Sequence, residues 1–185
     1  KTVELLNNGE IIAFPTETFY GLGVKFDMEA SLKRLYELKK RPEIKPMPLI
    51  IGNMEMLSIV ASSVNDTAYK LMEKFWPGPL TIILKAKKSL SKYLTAGTGN
   101  VAVRIPGKSF ALHLAREAGF PITATSANIS GMPPAEDAET VKKYFGDKID
   151  LIIDSGKTPG GLPSTIVDIS GTKIKILRKG AISSS

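Results

Sequence analysis

The sequence contains no cysteine and only one histidine among its 185 residues. The lack of cysteine excludes disulfides, thiolate-ligated metals and cysteine nucleophiles. The histidine, His113, lies in a helical pattern without a nucleophile or carboxylate partner, so we interpret it as structural and expect neither a Ser-His-Asp site nor a zinc site. No apolar run approaches the roughly 18 residues of a membrane span, and no signal-peptide pattern is present. We therefore expect a cytoplasmic protein with no membrane partner.

Positive charge exceeds negative charge. The chain carries 25 Lys and Arg against 18 Asp and Glu, which gives a net charge of +7. This excess favours anionic partners such as nucleotides, phosphates or RNA, but it does not choose among them. Because the basic residues are dispersed, a disordered arm that binds nucleic acid is not expected.

Hydrophobic periodicity indicates one domain of mixed secondary structure. Helices are predicted at 2–8, 27–40, 54–62, 65–75, 109–117 and 135–145. Strands are predicted at 11–14, 48–51, 80–84, 101–105, 122–124, 151–154, 165–169 and 173–177. Because helices and strands alternate only in places, a single-domain α/β (α+β) fold with one mixed sheet fits better than a regular doubly wound fold. We expect the domain to cover residues 1–182 and residues 183–185 to form a disordered tail.

A polar loop follows the first predicted strand. Pro15 ends the strand, and Asp27 can cap the helix that comes after the loop. The polar side chains of the loop are Thr16, Glu17, Thr18 and Tyr20. Gly21 and Gly23 then allow a sharp turn or a close approach to a ligand. Ligands bind at the carboxyl ends of strands in open α/β sheets, although a threonine-rich turn with ordinary capping roles explains the loop equally well.

Two phosphate-binding motifs fail in this sequence. Gly107-Lys108-Ser109 ends like a P-loop, but the required upstream glycine is replaced by Ala102. Gly21-Leu22-Gly23 begins like a dinucleotide fingerprint, but Phe26 occupies the position of its last glycine. A bound nucleotide would therefore need another scaffold. The basic set Lys39, Arg41 and Lys45 is the best candidate, although cations are also common at the negative end of a helix dipole.

Further polar residues follow later strands. Ser126 and Asn128 come directly after the predicted strand 122–124, where they either face a ligand or form a local turn. Ser164 follows a glycine-rich loop. That loop could close over a ligand, or Ser164 could simply cap the loop. Arg178 either reaches a phosphate or lies on an edge strand.

Seven stretches in order resemble the YrdC/Sua5 family, the threonylcarbamoyl-AMP synthases. They are PTETFYGLG (15–23), KKRP (39–42), FWPGPLT (75–81), VAVRIP (101–106), TSANISG (125–131), PSTIVD (163–168) and ILRKGAI (176–182). The resemblance implies a twisted, open mixed sheet with flanking helices and a concave, positively charged cavity. It also implies the short form of the family, with the catalytic domain only.

The resemblance further implies a nucleotidyltransferase that converts L-threonine, bicarbonate and ATP into L-threonylcarbamoyladenylate and pyrophosphate. The product would supply the N6-threonylcarbamoyl group of adenosine 37 in tRNA, so tRNA or the transferase complex is a further expected partner. Mg²⁺ would accompany ATP.

The resemblance also assigns roles to single residues. It implies catalytic roles for Lys39 and Arg41, and we expect alanine at either position to abolish turnover without unfolding the protein. Contacts to L-threonine are implied for Thr18, Arg104, Ser126 and Ser164. Contacts to ATP are implied for Arg41, Lys45, Asn128 and Arg178.

Two alternatives stay open. A non-catalytic module that binds tRNA or double-stranded RNA would also use a basic cavity, although the sequence has no RNP-type aromatic signature. A carbamoyl-transfer maturation factor related by fold is the third hypothesis, and its additional domains are not in this sequence.

Overall fold

The structure, a computed structural model, describes residues 1–42 and 45–183. The last two residues of the predicted disordered tail, 184 and 185, lie outside the described residues. Within the described ranges the α-helices are α1 Thr2–Asn7, α2 Glu29–Lys39, α3 Leu57–Val60, α4 Asp66–Phe75, α5 Lys92–Thr95, α6 Phe110–Ala118 and α7 Ala138–Phe145. The strands are β1 Ile12–Pro15, β2 Tyr20–Gly23, β3 Leu49–Ile50, β4 Leu80–Lys85, β5 Asn100–Arg104, β6 Ile122–Thr123, β7 Thr125–Ser126, β8 Leu151–Ile152, β9 Thr165–Asp168 and β10 Lys175–Arg178.

The strands form two mixed sheets. One has the order β7-β2-β1-β8, and the other has the order β10-β9-β4-β5-β3-β6. Parallel pairs (β1 with β8, β3 with β5, β4 with β9) occur beside antiparallel ones. The mixed α/β class with flanking helices is thus confirmed, but the strands fall into two sheets where the sequence predicted one.

The segment 122–126 explains why one predicted sheet becomes two. Its first half, β6, pairs with β3, and its second half, β7, pairs with β2 of the other sheet. Ala124 lies between them and donates its N–H to the Pro48 carbonyl at 3.0 Å. Periodicity within one short segment carries no information about which sheet each half joins.

The strand β2 lies where the sequence predicted a loop. Pro15 is the last residue of β1 and pairs with Tyr20 across a short hairpin. Gly23 has no left-handed φ, and a Cβ placed on it would lie 2.7 Å from both the Thr123 carbonyl oxygen and a Phe14 ring carbon. Glycine therefore serves close packing here and not a turn.

The predicted cap of α2 is wrong. Asp27 makes an ion pair with Lys25 at 3.7 Å, and Met28 precedes the helix without a capping side chain. At the other end, Lys40 adopts a left-handed conformation with φ 54°, which ends the helix before Pro42.

Capping by Asn65 and Ser109 agrees with the predicted helix starts. The side chain of Asn65 accepts from the Ala68 N–H at 2.8 Å, and that of Ser109 accepts from the Leu112 N–H at 3.3 Å. Ser109 is thus a helix cap, as the failed P-loop match requires.

Candidate active site

A cavity of about 400 Å³ is lined by residues of both sheets. This volume lies within the range of small-molecule sites. Seven of the nine residues predicted as a site line it: Thr18, Arg41, Lys45, Arg104, Ser126, Ser164 and Arg178. They come from six separate parts of the chain, so the fold brings together what the sequence separates.

The hairpin turn between β1 and β2 is built by Thr16. Its hydroxyl donates to the Phe19 carbonyl at 2.6 Å and accepts from the Thr18 N–H at 3.1 Å. Thr16 therefore has the local turn role that the sequence left open. Thr18, held in this turn, lines the cavity.

Three arginines line the same cavity, and each is held by a neighbouring group. Arg41 donates to the Pro46 carbonyl at 2.7 Å. Arg178 donates to the Ser164 carbonyl at 2.9 Å and to the Ser164 hydroxyl at 3.0 Å. Arg104 is 8% exposed and forms an ion pair with Glu17. Anchoring of this kind fixes the direction of each guanidinium before a ligand arrives.

The arginines also influence one another electrostatically. Burial lowers the pKa of Arg178, and the positive charges of Arg104 and Arg41 lower it further. Burial lowers the pKa of Arg104, whereas the Glu17 carboxylate opposes that shift. Mutual repulsion of buried cations favours binding of an anion among them.

Lys39 does not line the cavity. Its side chain is almost completely buried, and its ammonium donates to the Thr125 hydroxyl at 2.6 Å and to the Ser126 carbonyl. Burial and the nearby charge of Arg41 lower the pKa of Lys39 to about 7. Lys39 therefore supports β7 from behind, and alanine there would leave a cavity in the fold.

Asn128 does not line the cavity either. Its amide donates to the carbonyls of Ile129 and Met132 at 3.1 and 2.8 Å, and it accepts from the Ser126 hydroxyl at 2.5 Å. Its hydrogen bonds are those of a local turn, which is the alternative that the sequence left open. Asn128 thereby fixes the rotamer of Ser126, which does line the cavity.

The sequence missed two polar residues beside the predicted set. Thr81 of β4 lines the cavity and lies 2.8 Å from the Ser164 hydroxyl, so it extends the chain of hydrogen bonds to Arg178. Glu17 is a polar residue of the loop to which the sequence assigns no role. Thr81 ends the FWPGPLT stretch, so the motif contained a signal for it.

Residues interpreted as structural lie outside this cavity. His113 is exposed on α6. Trp76 follows α4 and donates its indole N–H to the Leu80 carbonyl at 2.7 Å. The described residues contain no group of three or more His, Cys, Asp or Glu side chains arranged to hold a metal ion. They also contain no helix whose length and apolar character would let it cross a bilayer.

Comparison with known proteins gives consistent matches. Residues 4–180 match the family of Sua5, YciO and YrdC, whose description is telomere recombination. The chain is 40% identical over 177 residues to a threonylcarbamoyl-AMP synthase of Pyrococcus abyssi and 41% identical over 179 residues to one of Bacillus subtilis. Each alignment covers 96% of this chain and 52% of the relative, so the chain spans about half the length of these relatives.

A solved structure matches equally well. The crystal structure of P. abyssi Sua5 complexed with L-threonine has a TM-score of 0.92 and 39% sequence identity. The alignment covers 97% of this chain and 53% of that chain.

Proposed function

This chain belongs to the family of Sua5, YciO and YrdC, and we propose on that basis that it is an L-threonylcarbamoyladenylate synthase. The reaction converts L-threonine, bicarbonate and ATP into L-threonylcarbamoyladenylate and pyrophosphate. The observation that carries the proposal is the convergence of seven predicted side chains, three of them arginines, on one cavity. Two relatives, one of P. abyssi and one of B. subtilis, are named threonylcarbamoyl-AMP synthase, and a structure of P. abyssi Sua5 was solved with L-threonine.

The chemistry needs alignment and charge compensation more than acid–base catalysis. The threonine amine adds to CO2 from bicarbonate to give a carbamate and a proton. A carbamate oxygen then attacks the α-phosphorus of ATP, the bond to the bridging oxygen breaks, and pyrophosphate leaves. Such a transfer requires in-line positioning and stabilisation of the charge on the phosphates. The reaction therefore does not require a cysteine, which this protein lacks, or a histidine, of which it has one that is exposed. The arginines that line the cavity are groups of the kind it does require.

We assign two groups of cavity residues to the two substrates, and the groups meet where Arg178 donates to Ser164. Thr18, Ser126 and Ser164 would hold L-threonine through hydroxyl groups, and Arg104 would hold its carboxylate. A site that hydrogen-bonds a substrate hydroxyl discriminates strongly against analogues that lack it.

The nucleotide would be held by cations. Arg41, Lys45 and Arg178 line the cavity and would compensate the triphosphate. Lys39 and Asn128 would act indirectly, because each holds Ser126 by a hydrogen bond. We therefore propose a positioning role for Lys39, and the catalytic role that the sequence predicted for it stays a prediction.

Mg²⁺ would enter with ATP as part of the substrate. The described residues contain no group of three or more His, Cys, Asp or Glu side chains that could hold the ion, so we propose that the phosphates of ATP supply most of its ligands. The product would pass to a separate transferase that modifies adenosine 37 of tRNA, which agrees with the cytoplasmic location expected from the sequence.

A direct assay tests the proposal. The RNA-free protein is incubated with ATP, L-threonine and bicarbonate, and pyrophosphate is measured. We expect release only when all three substrates are present. The RNA-binding hypothesis instead predicts that the protein binds RNA and releases no pyrophosphate. Names of the relatives favour the synthase.

A further inference from the structure

Glu17 is a half-buried residue, with one carboxylate oxygen fully buried, to which the predicted site assigns no role. We infer that Glu17 is a positioning residue for the amino-acid substrate and acts through Arg104; this inference rests on the proposed function.

The ion pair joins two distant parts of the chain. Glu17 lies in the hairpin turn after β1, and Arg104 ends β5 in the other sheet, 87 residues away. The Oε1 atom of Glu17 accepts from Nη1 of Arg104, and the two side chains are only 17% and 9% exposed. Screening by solvent is weak at such burial, so the carboxylate determines the direction of the guanidinium.

Arg104 retains donors for a ligand. Among the described residues its guanidinium hydrogen-bonds only to Glu17, and Arg104 lines the cavity. A guanidinium offers five N–H groups in a rigid fork, so one edge can be fixed by Glu17 while another receives a carboxylate. The α-carboxylate of an amino acid matches that second edge.

Glu17 also makes the distribution of positive charge in the cavity uneven. Arg41, Arg104 and Arg178 are close enough that two of them lower the pKa of the third. Among the described residues, Glu17 forms an ion pair with Arg104 and with neither of the other two arginines, and its carboxylate raises the pKa of Arg104 against the larger effect of burial. The other two arginines keep their excess charge, which suits a triphosphate, whereas the compensated Arg104 suits an amino acid that carries no net charge.

The second carboxylate oxygen of Glu17 supports a functional reason for the pair. Its Oε2 atom is buried and has no hydrogen-bond partner among the described residues. An unpaired buried acceptor lowers stability, so the pair is not optimised for folding alone.

The test is the substitution Glu17→Gln, which keeps the size of the side chain and removes its charge. Pyrophosphate release is measured while L-threonine and ATP are varied separately. We expect the KM for L-threonine to rise at least tenfold, the KM for ATP to stay within twofold, and kcat at saturating threonine to stay within threefold. Asp27→Asn is the matched control, because it removes the carboxylate of an exposed ion pair, and it should change none of these values.

Two further variants separate positioning from a purely structural role. Glu17→Asp keeps the charge, so its KM for L-threonine should lie between those of wild type and Glu17→Gln. If Glu17→Gln does not fold, the KM values of Glu17→Asp for L-threonine and ATP are compared with those of wild type. Glu17→Gln added to Arg104→Lys should weaken threonine affinity no further than Arg104→Lys alone, because Glu17 acts through Arg104.

Several results would overturn the inference. These are an unchanged KM for L-threonine, an equal rise in both KM values, or additive effects in the double variant. Wild-type protein that releases no threonine-dependent pyrophosphate would instead overturn the proposed function itself, so the two failures are distinguishable.

Discussion

The buried amine of Lys39 predicts an unusual dependence of stability on pH. Burial and the charge of Arg41 lower its pKa from 10.5 to about 7 in the folded protein. The neutral amine still has two hydrogens, which suffice for the Thr125 hydroxyl and the Ser126 carbonyl. Between pH 7 and 10.5 the unfolded chain therefore binds one more proton than the folded protein at this site, and the free energy of unfolding rises with pH.

The size of the effect follows from the two pKa values. A full separation of one proton changes the free energy of unfolding by about 1.4 kcal/mol per pH unit. Half of the folded molecules already carry the neutral amine near pH 7, so the gain from pH 7 to pH 9 is about 2 kcal/mol. Lys39→Met removes the amine, keeps much of the volume and abolishes this contribution.

Chemical denaturation of both proteins at pH 7 and pH 9 isolates the effect, because other titrating groups cancel in the comparison. Relative to Lys39→Met, wild-type protein should gain about 2 kcal/mol between the two pH values. The control Lys40→Met removes the adjacent exposed lysine and should follow wild type. If wild type and Lys39→Met change equally with pH, Lys39 is not a buried amine with a lowered pKa, and its role as a support of β7 is wrong.

The remaining predictions concern the packing of β2 and the segment that carries Lys45. Gly23→Ala should lower the free energy of unfolding by about 2 kcal/mol, because the new Cβ would overlap a carbonyl oxygen and a ring carbon. Gly171→Ala, where nothing lies within 4 Å, is the control, and equal stabilities of the two variants would contradict the packing argument. Tyr36→Phe removes the hydroxyl that lies within hydrogen-bond distance of the carbonyls of Lys45 and Tyr93 and shares its one hydrogen between them, so the KM for ATP should rise about fivefold in the pyrophosphate assay. Tyr93→Phe should leave that KM unchanged, and a similar rise in both variants would show that the Tyr36 hydroxyl does not hold the segment.

The sequence predicted the family and much of the cavity wall. Family membership rested on seven ordered stretches and is confirmed by the match over residues 4–180. Thr18, Arg41 and Ser126 line one cavity, as the sequence predicted, because Thr18 follows β1, Arg41 follows α2 and Ser126 ends β7. Their binding roles stay predictions, as do the single domain over 1–182 and Mg²⁺ as the companion of ATP.

What the sequence could not predict depends on contacts between distant residues. Lys39 and Lys40 are adjacent and chemically identical, yet the first is buried against β7 and the second is exposed. Glycine disfavours strands by itself, so Tyr20–Gly23 was read as a loop, although close packing against Phe14 explains the glycine at position 23. Glu17 had no evident role because its partner Arg104 lies 87 residues away.

The most direct test of the account is a crystal structure of this protein with L-threonine and a non-hydrolysable ATP analogue. The account predicts both ligands in the one cavity, with the amino acid beside Thr18 and Ser126 and the triphosphate beside Arg41 and Arg178. A nucleotide bound on another face, or ligands too far apart to react, would contradict it.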